Sequence, residues 1–479
     1  MLDLPNRRGF LGGLGLAATG TLALGRADAA TAGAGARPGS RAPELAAAIE
    51  AMPMVDVHCH PFPALTTVTE EIFLETLALS AWMLDAYFPA EPGESVTVYA
   101  KWRAADPGER ERLDRKYGIR RRFDEVVSQM RSTLLVESLI REMASFFRCK
   151  PTLEQVIAAR NEYVKGGFWR YVNDLFASVR LEEALVQSGL GVLPAWTEPE
   201  PPLEEFKSHL KLKVHDVVTA GASDLMLKES RFADFVSTYR SRLKQQALSQ
   251  GAVAFKTPIM KTSGADVKPV TDGEAEQAWA QFKKLAPGDV ARLYTRTWHP
   301  PFAKVLQDYI VWQACGVAFE LDIPLHIHAG NGEGQDKIST HYPYMLENVA
   351  RYPVELPQKP VQIVLLHAGY PHHMEAAYMS HIFPNVWFDM SIMTPFSNRG
   401  LHQRLLEAFE VAPLAKVMYG SDGYHVPELT YLGAKWAKRH LGIALATLVD
   451  EGVLGFEDAV RYARMILADN VRRLHKIGK

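Results

Sequence analysis

The chain has few cysteines, no excess of charge of either sign and no long apolar run beyond its N-terminus. Its three cysteines, Cys59, Cys149 and Cys315, are far apart in sequence and odd in number, so a disulfide framework is not predicted. The net charge of −2 argues against a nucleic-acid partner, because such partners bind a basic face. No membrane-spanning helix is expected in the mature protein, since that needs an apolar run of about 18 residues.

The N-terminus has the pattern of an export signal. The run Asn6–Leu11 contains the pair Arg7-Arg8 and matches a twin-arginine signal. An uncharged stretch over Gly9–Leu24 follows, and Ala27–Ala29 has the A-x-A form of a cleavage site. We therefore predict a signal peptide over 1–29 and a periplasmic or otherwise extracytoplasmic mature protein, the alternative being an uncleaved anchor or a chance arginine pair.

Residues 30–50 are predicted to form a small, polar linker and a short leading helix, and residues 51–479 a single barrel domain. Apolar residues at three- and four-residue spacing predict helices through most of 69–187, for example over Leu153–Val164 and Trp169–Gln187. This helical stretch is expected to be an insertion after the first strand, which could form a cap or a dimer surface. Later strands, alternating mostly with helices, are predicted at Ala252–Lys256, Pro324–His328, Val361–His367, Val386–Asp389 and Lys416–Asp422. Such alternation favours a parallel sheet.

The first predicted strand, Met54–His60, ends in a His-x-His pair. Side chains alternate along a strand, so His58 and His60 point to the same side and could bind one divalent metal ion. A second His-x-His pair occurs at His326 and His328. Because such pairs also arise by chance, the alternative is that strand-end histidines are satisfied by backbone hydrogen bonds.

Several predicted strands end in a residue that can bind or bridge a metal. In a (β/α)₈ barrel the carboxyl ends of the strands meet at one face, so residues far apart in sequence can surround one ion. Imidazoles and a carboxylate suit zinc or another first-row divalent metal. These candidate residues are His60, Lys256, His328, His367 and Asp422.

Two of these residues are also candidates for catalysis. Asp422 could bind the metal and accept a proton from a metal-activated water. His367 could bind a second ion, polarise the substrate carbonyl or assist proton transfer, and the sequence does not separate these roles. His299 and His425 are candidates for substrate binding, although a loop histidine is more often simply exposed.

These motifs resemble those of the amidohydrolase superfamily, in its amidohydrolase-related branch. The resemblance rests on Val55–His60, on His328 and His367 at strand ends, and on Gly420-Ser421-Asp422. The C-terminal portion is similar to the amidohydrolase domain of glutamine-synthetase-like proteins of the nodulin and FluG type. The runs that carry this second resemblance are Leu325–Gly330, Val364–Pro371, Ala412–Tyr424 and Pro427–Ala434.

The resemblance implies a distorted (β/α)₈ TIM-type barrel with one or two divalent metal ions, zinc being the expected metal. The ligands of mononuclear members match His58, His60, His328 and Asp422. In binuclear relatives a strand-end lysine is carbamylated and bridges two metals, so Lys256 is either such a bridge or a cation that pairs with a substrate carboxylate.

The expected activity is hydrolysis of an amide-type C–N bond of a small molecule by metal-activated water. One alternative on the same fold is decarboxylation or isomerisation of a small carboxylic acid. A second alternative is a non-catalytic periplasmic binding protein, which the set of candidate ligands argues against. A homodimer is possible, and no membrane contact is expected after cleavage of the signal.

Overall fold

A computed structural model gives the three-dimensional structure of the chain. It describes residues 41–77, 84, 87–89, 91, 97–187, 212–217, 222–286, 289–290, 300–332, 337–351 and 361–478. The predicted signal peptide, the linker up to residue 40, and His299 therefore lie outside the described residues. Residues from Arg41 onward form one compact unit. The expected leading helix is present as α1, Ala42–Glu50.

Eight strands of the described residues form one parallel sheet in the order of the sequence, from β1 to β8. Most are short and apolar, as expected for parallel strands buried on both faces. Their bounds are β1 Met54–Cys59, β2 Leu181–Gln187, β3 Leu212–Val217, β4 Ala252–Thr257, β5 Leu325–His328, β6 Ile363–Leu366, β7 Val386–Asp389 and β8 Val417–Met418.

Backbone hydrogen bonds also join the two ends of this strand order. The Val57 N–H donates to the Tyr419 carbonyl at 3.1 Å, so the residue after β8 is bonded to β1. Further along, the Asp422 N–H donates to the His58 carbonyl, and the His60 N–H donates to the Gly423 carbonyl, each at 2.8 Å. These bonds bring the ends of β1 and β8 side by side. The predicted (β/α)₈ barrel is confirmed.

Helices make up most of the insertion between β1 and β2. They are α2 Glu70–Leu77, α3 Val98–Ala104, α4 Pro107–Tyr117, α5 Ile119–Arg131, α6 Leu134–Phe147, α7 Leu153–Val164 and α8 Phe168–Ser178. The prediction of one helix over Trp169–Gln187 is wrong beyond Ser178, because the segment continues as β2. Parallel pairing with β1, such as Asp56 with Ala184, overrides the helical propensity of Leu181–Ala184.

The remaining helices lie between the later strands and after β8. They are α9 Ala222–Lys228, α10 Phe232–Gln250, α11 Ile259–Thr262, α12 Asp272–Phe282, α13 Pro301–Leu321, α14 Glu347–Arg351, α15 His373–Ile382, α16 Met393–Phe396, α17 Leu401–Phe409, α18 Pro427–Asp450, α19 Phe456–Arg464 and α20 Asn470–His475. Among the described helices, none is both long and apolar enough to cross a bilayer.

The hydrophobic core of the described residues forms four clusters, and the two largest both include strand residues. The large cluster packs the helices on strand residues such as Phe255, Leu325 and Ile363, all fully buried. Burying side chains of this size contributes about 1.5–3 kcal/mol each. A smaller cluster combines β-strand residues such as Val57 and Leu366 with Val471 and other residues of the C-terminal segment. The two clusters hold the strands in register, which fixes where the strand ends lie.

Candidate metal centre

The carboxyl end of β1 is held in place by a buried carboxylate. Asp56 Oδ1 accepts hydrogen bonds from the backbone N–H groups of His58, at 3.1 Å, and of Ser421, at 3.0 Å. The Ser421 hydroxyl donates to the other oxygen, Oδ2. Burial raises the pKa of Asp56 to about 7, although these hydrogen bonds oppose the shift. Asp56 therefore ties the strand that carries His58 to the segment that carries Asp422.

Three predicted ligands meet at Asp422. Its Oδ1 atom lies 2.9 Å from Nε2 of His58 and 3.1 Å from Nε2 of His60. The second oxygen, Oδ2, lies 3.8 Å from Nδ1 of His367. Ligand atoms of His58, His367 and Asp422 all lie within 4.8 Å of one another, and all three residues are buried. The carboxylate thus presents one oxygen to the β1 histidines and the other to His367.

His367 is fixed by its neighbours on β5 and β7. Its Nε2 atom lies 2.9 Å from Nδ1 of His328, and its Nδ1 atom lies 2.9 Å from the Ser391 hydroxyl. Its backbone N–H donates to Asp389 Oδ1 at 2.6 Å. Burial raises the pKa of Asp389 to about 8. His328 joins the centre through His367, and Nε2 of His328 lies 3.3 Å from the Asn331 carbonyl.

Lys256 lies near the end of β4, the strand that pairs with β5. It is 3% exposed. Its positive charge is one of the smaller causes that lower the pKa values of His58, His328 and His367, after burial. The structure therefore brings all six residues predicted as ligands to one place, the carboxyl ends of β1, β4, β5, β6 and β8.

The backbone at this centre takes uncommon conformations. His367, Asp422 and His425 have φ values of 68°, 52° and 58°. Non-glycine residues in this left-handed region cost about 1–3 kcal/mol each, and they cluster at functional sites as well as at helix ends. The fold therefore holds these side chains in place at the expense of stability.

Three histidines of the centre, His58, His328 and His367, are neutral near pH 7. Burial lowers the pKa of His58 to about 4, and it lowers the pKa values of His328 and His367 well below the usual range. Burial alone would raise the pKa of Asp422, but the neighbouring His367 and His58 outweigh it, and that pKa lies well below its usual value. Neutral imidazoles and an ionised carboxylate are the protonation states that bind a divalent cation.

The donor atoms also have the right spacing for a metal ion. Bonds of 2.0–2.1 Å in a tetrahedral zinc site separate neighbouring ligand atoms by roughly 3.3 Å. The distances of 2.9 and 3.1 Å from Asp422 Oδ1 to the β1 histidines approach this value. Nitrogen and oxygen donors of this kind favour zinc and other first-row divalent ions over magnesium or calcium. The residues present therefore fit a divalent metal.

Two further histidines differ in how they relate to the centre. His425, a predicted substrate-binding residue, is 8% exposed, lies close enough to His60 to be influenced by its charge, and has a pKa that burial lowers to about 3. His341 was not predicted as part of the site. Its Nδ1 atom lies 3.0 Å from the Gly330 carbonyl, and its ring contacts that of His328 edge-on. His341 thus supports the end of β5.

Sequence reasoning also missed Asp56, Asp389 and Ser391. The signal for Asp56 was present, because it lies two residues before His58 on the same strand. Asp389 was recognised only as the end of a strand, and Ser391 follows it after one residue. Their roles depend on contacts with distant residues, which sequence spacing does not reveal.

Comparison with known proteins finds sequence similarity over part of the chain. The amidohydrolase family profile matches residues 269–476. The FluG protein of Emericella nidulans is 26% identical over 269 residues, which is 55% of this chain and 30% of the fungal protein. The chain thus spans less than a third of the length of that relative.

Solved structures share the fold. A protein from Lactobacillus casei designated a metal-dependent hydrolase superposes with a TM-score of 0.68 at 20% identity, covering 90% of this chain and 97% of that one. Uronate isomerase from Thermotoga maritima superposes with a TM-score of 0.59 at 13% identity, covering 91% and 97%. The sequence similarity to the amidohydrolase family thus covers residues 269–476, and the two solved structures share the fold over 90% and 91% of this chain.

Proposed function

We propose that this enzyme hydrolyses an amide-type C–N bond of a small molecule at the centre formed by His58, His60 and Asp422. The observation that carries the proposal is the convergence of both β1 histidines on a single oxygen of Asp422. A divalent ion bound there, which we propose is zinc, supplies a water of lowered pKa and a Lewis acid that polarises a carbonyl group. The remaining chemistry belongs to the side chains of the chain itself.

Asp422 is the proposed proton acceptor. Oδ1 is the oxygen nearest to His58 and His60, so Oδ2 remains for a proton taken from the attacking water. In the overall reaction the hydroxyl group of water adds to the carbonyl carbon, the C–N bond breaks, and a proton passes to the leaving nitrogen. His367 lies 3.8 Å from Oδ2 and is held by Ser391, which places it to orient the carbonyl or assist this proton transfer.

The direct test replaces the carboxylate without changing its size. Asp422→Asn should fold with a wild-type circular dichroism spectrum but lose at least 10²-fold in kcat on any amide that the wild type hydrolyses. Asp308→Asn is the matched control, because Asp308 is also a buried acid but pairs with Lys304 on α13. Near-normal turnover by Asp422→Asn would refute the proposed mechanism.

The number of metal ions bound per chain depends on whether Lys256 is carbamylated. If it is carbamylated and bridges two ions, elemental analysis should give two metals per chain, falling to one or none in Lys256→Ala. If it remains a cation, both proteins should contain one metal. A carbamylated Lys256 would also add the mass of carbon dioxide, which native mass spectrometry detects.

A second candidate function is isomerisation or decarboxylation of a small carboxylic acid on the same centre. It is favoured by the likeness of the barrel to a uronate isomerase over 91% of this chain. One metal in both the wild type and Lys256→Ala would favour it. Incubating the loaded enzyme with uronic acids and with small amides, and following products by NMR, separates the two reactions.

We also propose that the protein is exported through the twin-arginine route and works outside the cytoplasm. The support is the Arg7-Arg8 pair and the Ala27–Ala29 cleavage pattern. This route exports folded proteins, so the buried centre could take up its metal before export. Replacing both arginines by lysine should retain the protein in the cytoplasm as an uncleaved chain, and fractionation of cells followed by mass determination checks this.

A further inference from the structure

A buried ion pair joins the helical insertion to the helix that follows the metal centre. Arg160 lies on α7, and Glu428 lies in the first turn of α18, shortly after Asp422. Arg160 Nε donates to Glu428 Oε1 at 3.0 Å, and the Tyr171 hydroxyl donates to the same oxygen at 2.8 Å. Both charged side chains are 0% exposed.

The pair leaves several buried polar atoms without partners. Within the described part of the chain, Arg160 Nη1 and Nη2 and Glu428 Oε2 have no hydrogen-bond partner. The same holds for His425 Nδ1 and Thr430 Oγ1, which precede and follow Glu428 in the sequence. Taking charged groups out of water is unfavourable unless their donors and acceptors are satisfied, so buried groups of this kind are normally satisfied by a ligand or by water.

The pair lies beside both segments that carry metal-centre residues. Asn161, the neighbour of Arg160 on α7, exchanges two hydrogen bonds with the backbone of Val68, at 3.0 and 2.9 Å. These bonds hold the segment that follows His60. The other segment, which follows Asp422, leads directly into the first turn of α18 and is bonded to the His60 N–H through the Gly423 carbonyl. Arg160 is thus at the point where the insertion meets the two ends of the site.

The geometry of the guanidinium indicates which chemical group would bind. Glu428 accepts from Nε, so the two terminal nitrogens, Nη1 and Nη2, are the buried donors of Arg160 that have no partner. Two parallel N–H groups match the two oxygens of a carboxylate, and such bidentate pairs are stronger and more specific than single hydrogen bonds. A neutral carbonyl or hydroxyl group offers only one acceptor atom and no negative charge.

We propose that Arg160 binds a carboxylate of the substrate through Nη1 and Nη2, and that the insertion thereby selects substrates with a carboxylate group. This deepens the proposed function, because the compound hydrolysed would then be an amide that also bears a carboxylate. Glu428 and Tyr171 act as positioning residues that hold the guanidinium.

The test uses a pair of probes that differ in charge but not in shape. Glutarate and its neutral diamide, glutaramide, are titrated into the full-length, metal-loaded protein by calorimetry. Glutarate should bind at least tenfold more tightly than glutaramide. Arg160→Gln should lose this preference tenfold or more while glutaramide binding stays unchanged, and Arg160→Lys should lie between because it keeps the charge without the fork.

A control variant and a chelated sample show whether glutarate binds at Arg160 or at the metal. Arg240→Gln removes a partly buried arginine that pairs with Glu320 on α13, and it should bind glutarate as the wild type does. Glutarate could instead coordinate the metal, so the titration is repeated after chelation. Binding that disappears with the metal but survives Arg160→Gln overturns the proposal, as does equal binding of the two probes by the wild type.

If neither Arg160 variant folds, an NMR experiment on the wild type can still test whether Arg160 binds the carboxylate. With ¹⁵N-labelled arginine, the Nη signals of a buried guanidinium should shift on addition of glutarate and not of glutaramide. Absence of any shift overturns the proposal. Glutarate binding is measured without turnover, so its outcome does not depend on whether the protein hydrolyses amides. If Arg160 binds glutarate but no amide is hydrolysed, only the proposed hydrolysis is refuted. If amides are hydrolysed but Arg160 does not bind glutarate, only the proposed role of Arg160 is refuted.

Discussion

Removing the Asp56 carboxylate should weaken both the fold and the metal centre. Asp56 is fully buried and accepts three hydrogen bonds, one from His58 and two from Ser421. In Asp56→Ala the backbone N–H groups of both neighbours lose their acceptor. In Asp56→Asn the amide oxygen can still accept both backbone bonds, and the amide NH₂ can donate to the Ser421 hydroxyl. The two variants therefore differ in whether the donors stay satisfied.

The expected magnitudes follow from these contacts. Each buried donor left without an acceptor costs about 1–3 kcal/mol, so the two backbone N–H groups in Asp56→Ala should cost roughly 2–6 kcal/mol of unfolding free energy. Asp56→Asn should cost about 1 kcal/mol, because one hydrogen bond is rearranged and none is lost. Loss of the group that orients His58 and the Asp422 segment should lower metal affinity about 10- to 100-fold in Asp56→Ala.

Two measurements check this reasoning. Urea unfolding of the metal-free proteins at pH 7 gives the change in stability, and competition with a chromogenic chelator gives metal affinity. Asp308→Ala is the control, because it leaves Lys304 without its buried partner on α13 but should keep wild-type metal affinity. If Asp56→Ala bound metal as tightly as the wild type and unfolded at the same urea concentration, Asp56 would not organise the centre.

Two further predictions concern loop packing and pH. Gly330 has a φ of +66°, and an added Cβ would lie 2.2 Å from the carbonyl carbon of Gly369. Gly330→Ala should therefore lower Tm much more than the control Gly452→Ala, where φ is +75° but no atom lies within 4 Å of an added Cβ. Equal changes in Tm would contradict the close approach of the loops after β5 and β6. Burial lowers the pKa of His475 from 6.5 to about 4, so the unfolded chain binds a proton first as the pH falls. The contribution of neutral His475 to the unfolding free energy is complete above pH 6.5, and up to about 3 kcal/mol of it is lost by pH 4. His475→Asn should therefore make the unfolding free energy, measured with urea, depend less steeply on pH between 6.5 and 4. An unchanged dependence would show that another group is responsible.

Much of the barrel could be predicted because its signals are local. The apolar runs before His60, His328 and His367 mark buried strands, and the metal-binding residues at their ends need only the rule that parallel strands end at one face. Helix α7, Leu153–Val164, was predicted with its observed bounds, since its apolar spacing and its N-cap Thr152 are both local features.

Strands whose identity depends on their neighbours could not be predicted. The segment Leu181–Gln187 has acidic residues and alanine that favour a helix, and it becomes β2 because it pairs with β1. Strand β3, Leu212–Val217, was likewise not identified, although it completes the sheet between β2 and β4. In both cases the pairing partners supply the free energy that local propensity does not.

The sequence by itself determined the chemistry of the centre: imidazoles, a carboxylate and a lysine at strand ends, each recognisable from its own short segment. Only the tertiary structure decided how these groups are held, because Asp56 meets Ser421, and Arg160 meets Glu428, across hundreds of residues. Ligand type is a property of single side chains, whereas their protonation state and position depend on burial and on distant partners. That difference explains why the metal site was visible in the sequence and the buried Arg160–Glu428 pair was not.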